Sequence, residues 1–157
     1  MSTQPATLDR SAALETARSL IGHAYVSSPV QADCFNGWTF IAQCFGGRAP
    51  SFLPGGGPRD RWLAMGQFFN RGMKLTTLAA AQPGDVLVFD MGRDGFHAGV
   101  VSETGGAEPK MISCQFGKAA SQCWLGRFWT DRLVGVFTYA DAAASTANDN
   151  ALVEEAA

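Results

Sequence analysis

A cysteine that directly follows an aspartate is the first pair of residues whose types suggest chemistry. Asp33 has a side chain that commonly caps the start of a helix, and Cys34 comes next. We therefore predict that a helix begins at Cys34. The unpaired N–H groups and the positive dipole end of a helix stabilise a thiolate, which makes Cys34 a candidate nucleophile near neutral pH.

The sequence also offers a base for that thiol. His97 lies in an apolar stretch beside Ala98 and Gly99, two small residues that leave room for another group to approach the imidazole. Imidazole is the usual base that takes a proton from a catalytic thiol and returns it. Either residue alone is equally compatible with a buried core side chain, so the chemistry depends on the pair.

Metal and cofactor chemistry is not favoured by the remaining cysteines and histidines. The chain has two histidines and four cysteines, with no Cys-x-x-Cys motif and no histidine pair four residues apart. We therefore predict no metal site and no cofactor. Cys114 and Cys123 are compatible either with a disulfide in an oxidising compartment or with two buried thiols.

Three helices are expected in the first half of the chain. Apolar residues recur at helical spacing between residues 7 and 21, and again from Cys34 to Phe45. Pro58 begins a third predicted helix, in which Trp62, Met65 and Phe69 share one face. A glycine-rich loop separates the second helix from the third.

Short strands are expected in the second half of the chain. The predicted strands cover residues 86–89, 96–101, 110–116 and 134–139, and residues 117–133 carry no clear pattern. Helices followed by an antiparallel meander indicate an α+β domain, which we place at residues 7–140. Residues 141–157 contain four acidic residues and no basic residue, and we expect this tail to be disordered.

Composition excludes several classes of protein. With 157 residues and 46% apolar residues, the chain can bury one core. Its 12 basic and 14 acidic residues argue against a nucleic-acid partner. No apolar run reaches the roughly 18 residues of a membrane span, and the first residues lack the layout of a signal peptide. We expect a protein that is made in the cytoplasm, and any later export would need a route other than a signal peptide.

Five segments, in order, resemble the motifs of NlpC-type cysteine peptidases, which are papain-like enzymes that cut peptidoglycan stem peptides. The resemblance covers roughly residues 12–140. The segments are Gly22-His23-Ala24-Tyr25, Asp33-Cys34 followed by Gly37, Pro83-Gly84-Asp85 with the strand after it, His97-Ala98-Gly99-Val100-Val101, and Val134-Gly135-Val136.

The resemblance implies a mechanism and a set of site residues. Cys34 would attack an amide carbonyl of a stem peptide or cross-link, and His97 would protonate the leaving amine and then activate water. Backbone N–H groups at the helix start, including that of Cys34, would hold the oxyanion. Tyr25, Asp33 and Trp38 are the predicted substrate-side residues. The family also implies the bond between γ-D-glutamate and the diamino acid.

Two departures from the family pattern affect the predicted site. Phe35-Asn36-Gly37 is one residue longer than the Ser-Gly that follows the nucleophile in the family. Ser113 occupies the position at which the family often has a histidine that orients the catalytic imidazole. Gln115 is two residues further and shares the strand face of Ser113. We predict that Gln115, a backbone carbonyl or water holds His97 Nδ1.

The length and the absence of a signal peptide also resemble the type VI secretion amidase effectors, which have a cognate immunity protein, and phage enzymes have the same features. These resemblances imply a monomer that acts in the periplasm or cell wall after delivery by a route other than signal-peptide export. Two alternatives to a hydrolase stay open at this point. One is a non-catalytic binding or structural module of a phage tail or secretion particle. The other is a cysteine acyltransferase that uses the same Cys–His pair.

Overall fold

The computed structural model describes residues 9–25, 34–35, 37–44, 58–92, 95–106, 108–115 and 117–140. The tail at 141–157 and Asp33 therefore lie outside the described residues. In chain order the elements are α1 Arg10–Ser19, β1 Ala24–Tyr25, β2 Cys34–Phe35, α2 Gly37–Cys44, α3 Pro58–Phe69, β3 Lys74–Thr76, β4 Val86–Asp90, β5 Phe96–Glu103, β6 Lys110–Ser113, β7 Ser121–Trp124, α4 Arg127–Thr130 and β8 Leu133–Thr138.

Six of the strands form one antiparallel sheet in the order β3-β8-β4-β5-β6-β7. The neighbours β4, β5, β6 and β7 are consecutive in the chain, which makes this half of the sheet the meander that the apolar runs predict. The strands β1 and β2 form a separate parallel pair. The predicted α+β fold, with helices before the sheet, is confirmed.

Side chains alternate between the two faces of the sheet, and each face has its own core. The first face packs against α1, α2 and α3, and we call it the helix-side core; its strand residues include Val86, Val88, Ala98, Val100 and Ile112. The opposite face packs against α4 and the turn before β4, and we call it the far-side core; it includes Leu87, Phe89, Val101, Met111, Leu125 and Trp129.

The third helix begins at Pro58 as expected, and on its predicted face Met65 packs against the helix-side core and Phe69 contacts Phe137. Trp62 is 74% exposed and Phe69 is 40% exposed, whereas Phe68 is fully buried. The ring of Phe68 lies 5.0 Å from that of Phe137 in β8, measured between centroids. Packing of Phe68 and Phe69 against β8 therefore leaves Trp62 exposed.

The disulfide alternative for Cys114 and Cys123 is wrong. Cys114 is part of the helix-side core, and Cys123 packs against the far-side core, so the sheet separates the two thiols. Both are free cysteines in the structure. The alternation of side chains along β6 and β7 thus produces two independent, partly or fully buried thiols.

A buried carboxylate ties the first helix to the sheet. Asp85 has no exposed surface, and its Oδ1 accepts hydrogen bonds from Arg10 Nε at 3.1 Å and Thr138 Oγ1 at 2.9 Å. Its Oδ2 accepts from the backbone N–H of Gln82 at 2.8 Å, and Arg10 Nη2 donates to Thr138 Oγ1 at 2.8 Å. The carboxylate thus joins α1, the turn before β4, and β8.

The glycine before that carboxylate makes the close approach of α1 possible. Gly84 has a φ of +96°, and a Cβ at this position would collide with the backbone and side chain of Arg10. Glycine is the residue that adopts positive φ without steric cost. The Pro-Gly-Asp segment therefore combines a turn, a close contact and an ion pair within three residues.

We expect Asp85→Ala to lower the free energy of unfolding by about 3 kcal/mol, because it leaves Nε of the half-buried Arg10 guanidinium and two other donors without an acceptor. Urea denaturation measures the loss. Glu103→Ala is the matched control, since Glu103 pairs with Lys110 at 3.2 Å but its side chain is 53% exposed. The control should lose less than about 1 kcal/mol. Equal losses in the two variants would contradict a special role for Asp85.

Candidate active site

The start of β5, the end of β6 and the start of β7 lie at one end of the sheet, which we call the His97 end. Val100 pairs with Ile112, and continuing this antiparallel register brings His97 opposite Gln115. Backbone hydrogen bonds from the connection between β6 and β7 also place the start of β1 at the His97 end. Gly22 donates its N–H to the carbonyl of Ala120 at 2.8 Å, and Ala120 donates to the carbonyl of His23 at 2.8 Å.

The backbone brings Cys34 to this same end. Cys34 pairs with Ala24 in the β1–β2 ladder, and Ala24 directly follows the segment bonded to Ala120. Helix α2 packs on β5 and ends at Cys44. Burial raises the pKa of Tyr139, and negative charge on Cys44 and Asp85 adds to the increase, so these groups lie together at the opposite end. The start of α2 therefore faces the His97 end.

The predicted start of the second helix is wrong. Helix α2 begins at Gly37, and Cys34 with Phe35 forms the strand β2. Pairing with β1 keeps these residues extended and overrides the helix start expected after Asp33. Because the field of a helix terminus falls off within its first turn, Cys34 lies outside the position at which that field is strongest. The backbone N–H of Cys34, which was expected to donate to the oxyanion from a helix terminus, therefore belongs to a strand.

For the predicted substrate-side residues, the structure describes the backbone of Tyr25 and of Trp38. Tyr25 pairs with Phe35 in the β1–β2 ladder, which brings its backbone next to that of the Cys34 segment. Trp38 lies in the first turn of α2. The side chains of Tyr25, Cys34 and Trp38, and all of Asp33, lie outside the described residues, so their roles stay predictions.

His97 is held between aromatic rings on the far side of the sheet. Its imidazole stacks on Trp129, with centroids 5.3 Å apart and planes inclined by 29°. Phe89, its partner in the β4–β5 register, contributes a second ring at 6.1 Å. The Nε2 atom is buried and has no hydrogen-bond partner in the part of the chain that the structure describes.

The surroundings of His97 determine its charge. Burial lowers the pKa of His97 to about 4. The imidazole is therefore neutral at pH 7 and has a free lone pair, which is the state required of a general base. Burial among aromatic rings opposes formation of the imidazolium ion, so its formation depends on a favourable charge close by.

Ser113 and Gln115 share the far side of the sheet with His97. Ser113 is buried, and its Oγ has no hydrogen-bond partner within the described ranges. A Cβ at Gly99 would lie 3.3 Å from Ser113 Cβ, so the glycine leaves space beside the serine. Gln115 Nε2 donates to Cys123 Sγ at 3.8 Å. The enclosed nitrogen of His97 is Nε2, and an orienting contact at Nδ1 from Gln115 stays a prediction.

The other thiols are poor nucleophiles. Burial raises the pKa of Cys44 to about 12 and that of Cys114 to about 11. Burial also raises the pKa of Cys123, although a hydrogen bond from Trp129 and the charge of Lys118 act in the opposite direction. At neutral pH these three thiols are protonated, so none of them competes as a thiolate.

Sequence reasoning did not identify Trp129 as a neighbour of His97, or Cys123 as a neighbour of Trp129. Both lie in residues 117–133, where no clear pattern was found, and the aromatic pair Phe128-Trp129 was the signal available there. Among the described residues, no group of three histidine, cysteine, aspartate or glutamate side chains could hold a metal ion. The described helices include none with the length and apolar character of a membrane span.

Solved structures of NlpC/P60 proteins share this fold. A lipoprotein-like NLP/P60 family protein from Staphylococcus aureus is 18% identical, with a TM-score of 0.54 over 90% of this chain and 45% of that chain. An NlpC/P60 family protein from Bacillus cereus is 16% identical, with a TM-score of 0.58 over 87% of this chain and 42% of that chain. The NlpC/p60 domain of the peptidoglycan hydrolase SagA is 16% identical, with a TM-score of 0.55 over 83% of this chain and 98% of that domain.

These similarities confirm the NlpC-type fold that the motifs predict. The chain spans less than half the length of the Staphylococcus aureus and Bacillus cereus proteins, and it matches nearly the whole SagA domain. No protein-family model and no curated protein matches the sequence.

The lowered pKa of His97 should appear in the pH dependence of stability. Between about pH 4 and pH 6.5 the unfolded chain binds a proton at His97 that the folded chain does not bind, so the free energy of unfolding falls as the pH falls through this range. Between pH 7 and pH 4.5 the wild type should lose about 2 kcal/mol more than His97→Gln in urea denaturation. A smaller loss of unfolding free energy in the wild type than in His97→Gln would contradict the lowered pKa. It would indicate that a thiolate stabilises His97 as an imidazolium ion.

Proposed function

We propose that this protein is a cysteine amidase or endopeptidase that cleaves an amide bond of a peptidoglycan stem peptide or cross-link. The observation that supports the proposal is the set of backbone contacts that join the β1–β2 pair, which contains Cys34, to the His97 end of the sheet. The fold supports it, because the SagA domain that shares this fold belongs to a peptidoglycan hydrolase.

Cys34 is the nucleophile in the proposed reaction, and His97 is the base. The imidazole takes the proton of the thiol as the sulfur bonds to the amide carbonyl carbon, and the carbonyl oxygen becomes an oxyanion. The imidazolium then protonates the nitrogen of the leaving amine as the C–N bond breaks. Water, deprotonated by the same imidazole, attacks the thioester and releases the carboxylate and the free thiol.

The low pKa of His97 favours proton transfer during the attack rather than before it. A neutral imidazole at pH 7 does not hold a thiolate as a resting ion pair, so the thiol keeps its proton until a carbonyl is in place. The start of α2 faces the same end of the sheet, and its unpaired N–H groups are the donors that we propose for the oxyanion.

The substrate proposed is a peptide, because a thiol nucleophile with an imidazole base suits attack on an amide carbonyl. The bond between γ-D-glutamate and the diamino acid is the proposed point of cleavage within the stem peptide. Mass spectrometry of digested muropeptides identifies this bond by the mass of each fragment.

We expect Cys34→Ala to lower the rate of muropeptide cleavage at least about 1,000-fold while the melting temperature is retained, because loss of the nucleophile stops acyl transfer. Cys44→Ala is the matched control and should keep its rate, since Cys44 is a buried core thiol at the other end of α2. Product analysis follows the released amine and carboxylate.

The same digest separates the alternatives to a hydrolase. An acyltransferase would require an added amine or an acyl donor and would form a new amide or ester instead of a free carboxylate. A binding module would leave every muropeptide intact. Cleavage that persists in Cys34→Ala would contradict the assignment of the nucleophile.

Iodoacetamide should label Cys34 before the other three cysteines at neutral pH. Burial raises the pKa values of Cys44, Cys114 and Cys123, which keeps these thiols protonated and slow to alkylate. Peptide mass mapping after short exposure identifies the labelled residue. Faster labelling of Cys123 than of Cys34 would contradict the prediction.

A further inference from the structure

Trp129 is the side chain in closest ring contact with the catalytic imidazole proposed above. The near-parallel stack, with centroids 5.3 Å apart, covers one face of the ring of His97. The imidazole has no hydrogen bond at Nε2 within the described residues, so ring contacts are what restrain its plane there. Aromatic pairs of this geometry restrict orientation as well as burying surface.

The indole is itself held from several sides. Phe89 meets it at 4.9 Å with planes inclined by 60°, and Phe128 meets it edge-on at 5.1 Å. Its backbone N–H donates to the carbonyl of Gly126 at 3.0 Å, and the carbonyl of Trp129 accepts from Arg132 at 3.0 Å. Only 8% of the residue is exposed. A side chain restrained in this way can fix the position of a neighbouring ring.

The Cys123 thiol contacts both the Trp129 side chain and Gln115, which follows the end of β6. Gln115 Nε2 donates to Cys123 Sγ at 3.8 Å. The indole N–H of Trp129 lies close enough to the same sulfur to lower its pKa by hydrogen bonding. Gln115, which sequence reasoning assigned to the imidazole, thus acts on the sulfur beside the indole.

We propose that Trp129 is a positioning residue for His97: it holds the imidazole by stacking, in the role that a hydrogen-bonding third residue has in a catalytic triad. This inference rests on the proposed function.

Nuclear magnetic resonance of the wild-type protein tests the stack without a substrate. The ring current of an indole shifts protons above its face upfield, so the ring protons of His97 should resonate upfield of those of His23. The shift should disappear in Trp129→Leu and persist in weaker form in Trp129→Phe. Ring protons of His97 at ordinary positions in the wild type would overturn the proposal, even if no Trp129 variant folds.

Kinetics tests whether the stack serves the reaction. In Trp129→Leu, kcat on muropeptides should fall about tenfold, with KM within about threefold, because the contact orients the base and not the substrate. Trp129→Phe should recover most of kcat. Trp124→Leu is the matched control, since Trp124 is 54% exposed and faces away from the far-side core.

The outcomes separate this inference from the proposed function. A wild-type protein that cleaves no muropeptide, but whose His97 protons are shifted upfield, would contradict the proposed function and leave the stack intact. An active wild type in which Trp129→Leu keeps both kcat and the His97 proton positions would overturn the role of Trp129. Equal loss of kcat in Trp129→Leu and Trp124→Leu would also overturn it, because the effect would not be local.

Discussion

The alternation of side chains along β5 is the constraint on which the proposed site depends. Ala98 and Val100 point to the helix-side core, and His97 points to the far side, where Phe89 and Trp129 contact it. Helix α2 packs on the first face, so a residue along its length is separated from His97 by the sheet. A thiol that precedes α2 can meet His97 only around the end of the strand. The position of His97 as the second residue of β5, and of Cys34 before the first turn of α2, satisfies this constraint.

The buried Asp85 network fixes the other end of the same helix layer. Asp85 binds Arg10 of α1 and Thr138 of β8, and Tyr139 lies among Asp85, Arg10 and Cys44. The end of α2 is therefore held in the helix-side core beside a rigid, charged cluster. Because the helix has eight residues, about 12 Å in length, fixing its end also fixes where its start faces. The Pro-Gly-Asp turn lies at the end of the sheet opposite to His97. It thus contributes to the orientation of α2 and of the segment that precedes this helix.

The local sequence pattern predicts the elements that burial or proline geometry determines locally. It misses the elements that form only beside another strand of the sheet. The apolar run of β4 and the start of α3 at Pro58 are correct, because burial and proline geometry act locally. The strands β3 and β7 were missed, since three or four mixed residues become a strand only beside β8 and β6. The helix start at Cys34 is wrong because the ladder with β1, ten residues earlier, overrides the capping preference. An injected effector, an immunity protein and a phage origin stay predictions, because the fold does not depend on them.

The environment of His97 also explains why a third hydrogen-bonding residue is less necessary here than in a triad. A triad carboxylate or amide selects a tautomer and steadies the ring, and both tasks are needed when the ring is otherwise free to turn. At this site two aromatic rings steady the imidazole, and Ser113, although on the same face, does not bond to it. Burial among those rings keeps the base neutral, which lowers the fraction of thiolate in the resting site but preserves the lone pair for each attack. Since the pKa of a cysteine thiol is far below that of a serine hydroxyl, we expect a neutral, stacked imidazole to be sufficient to start acyl transfer at the proposed site.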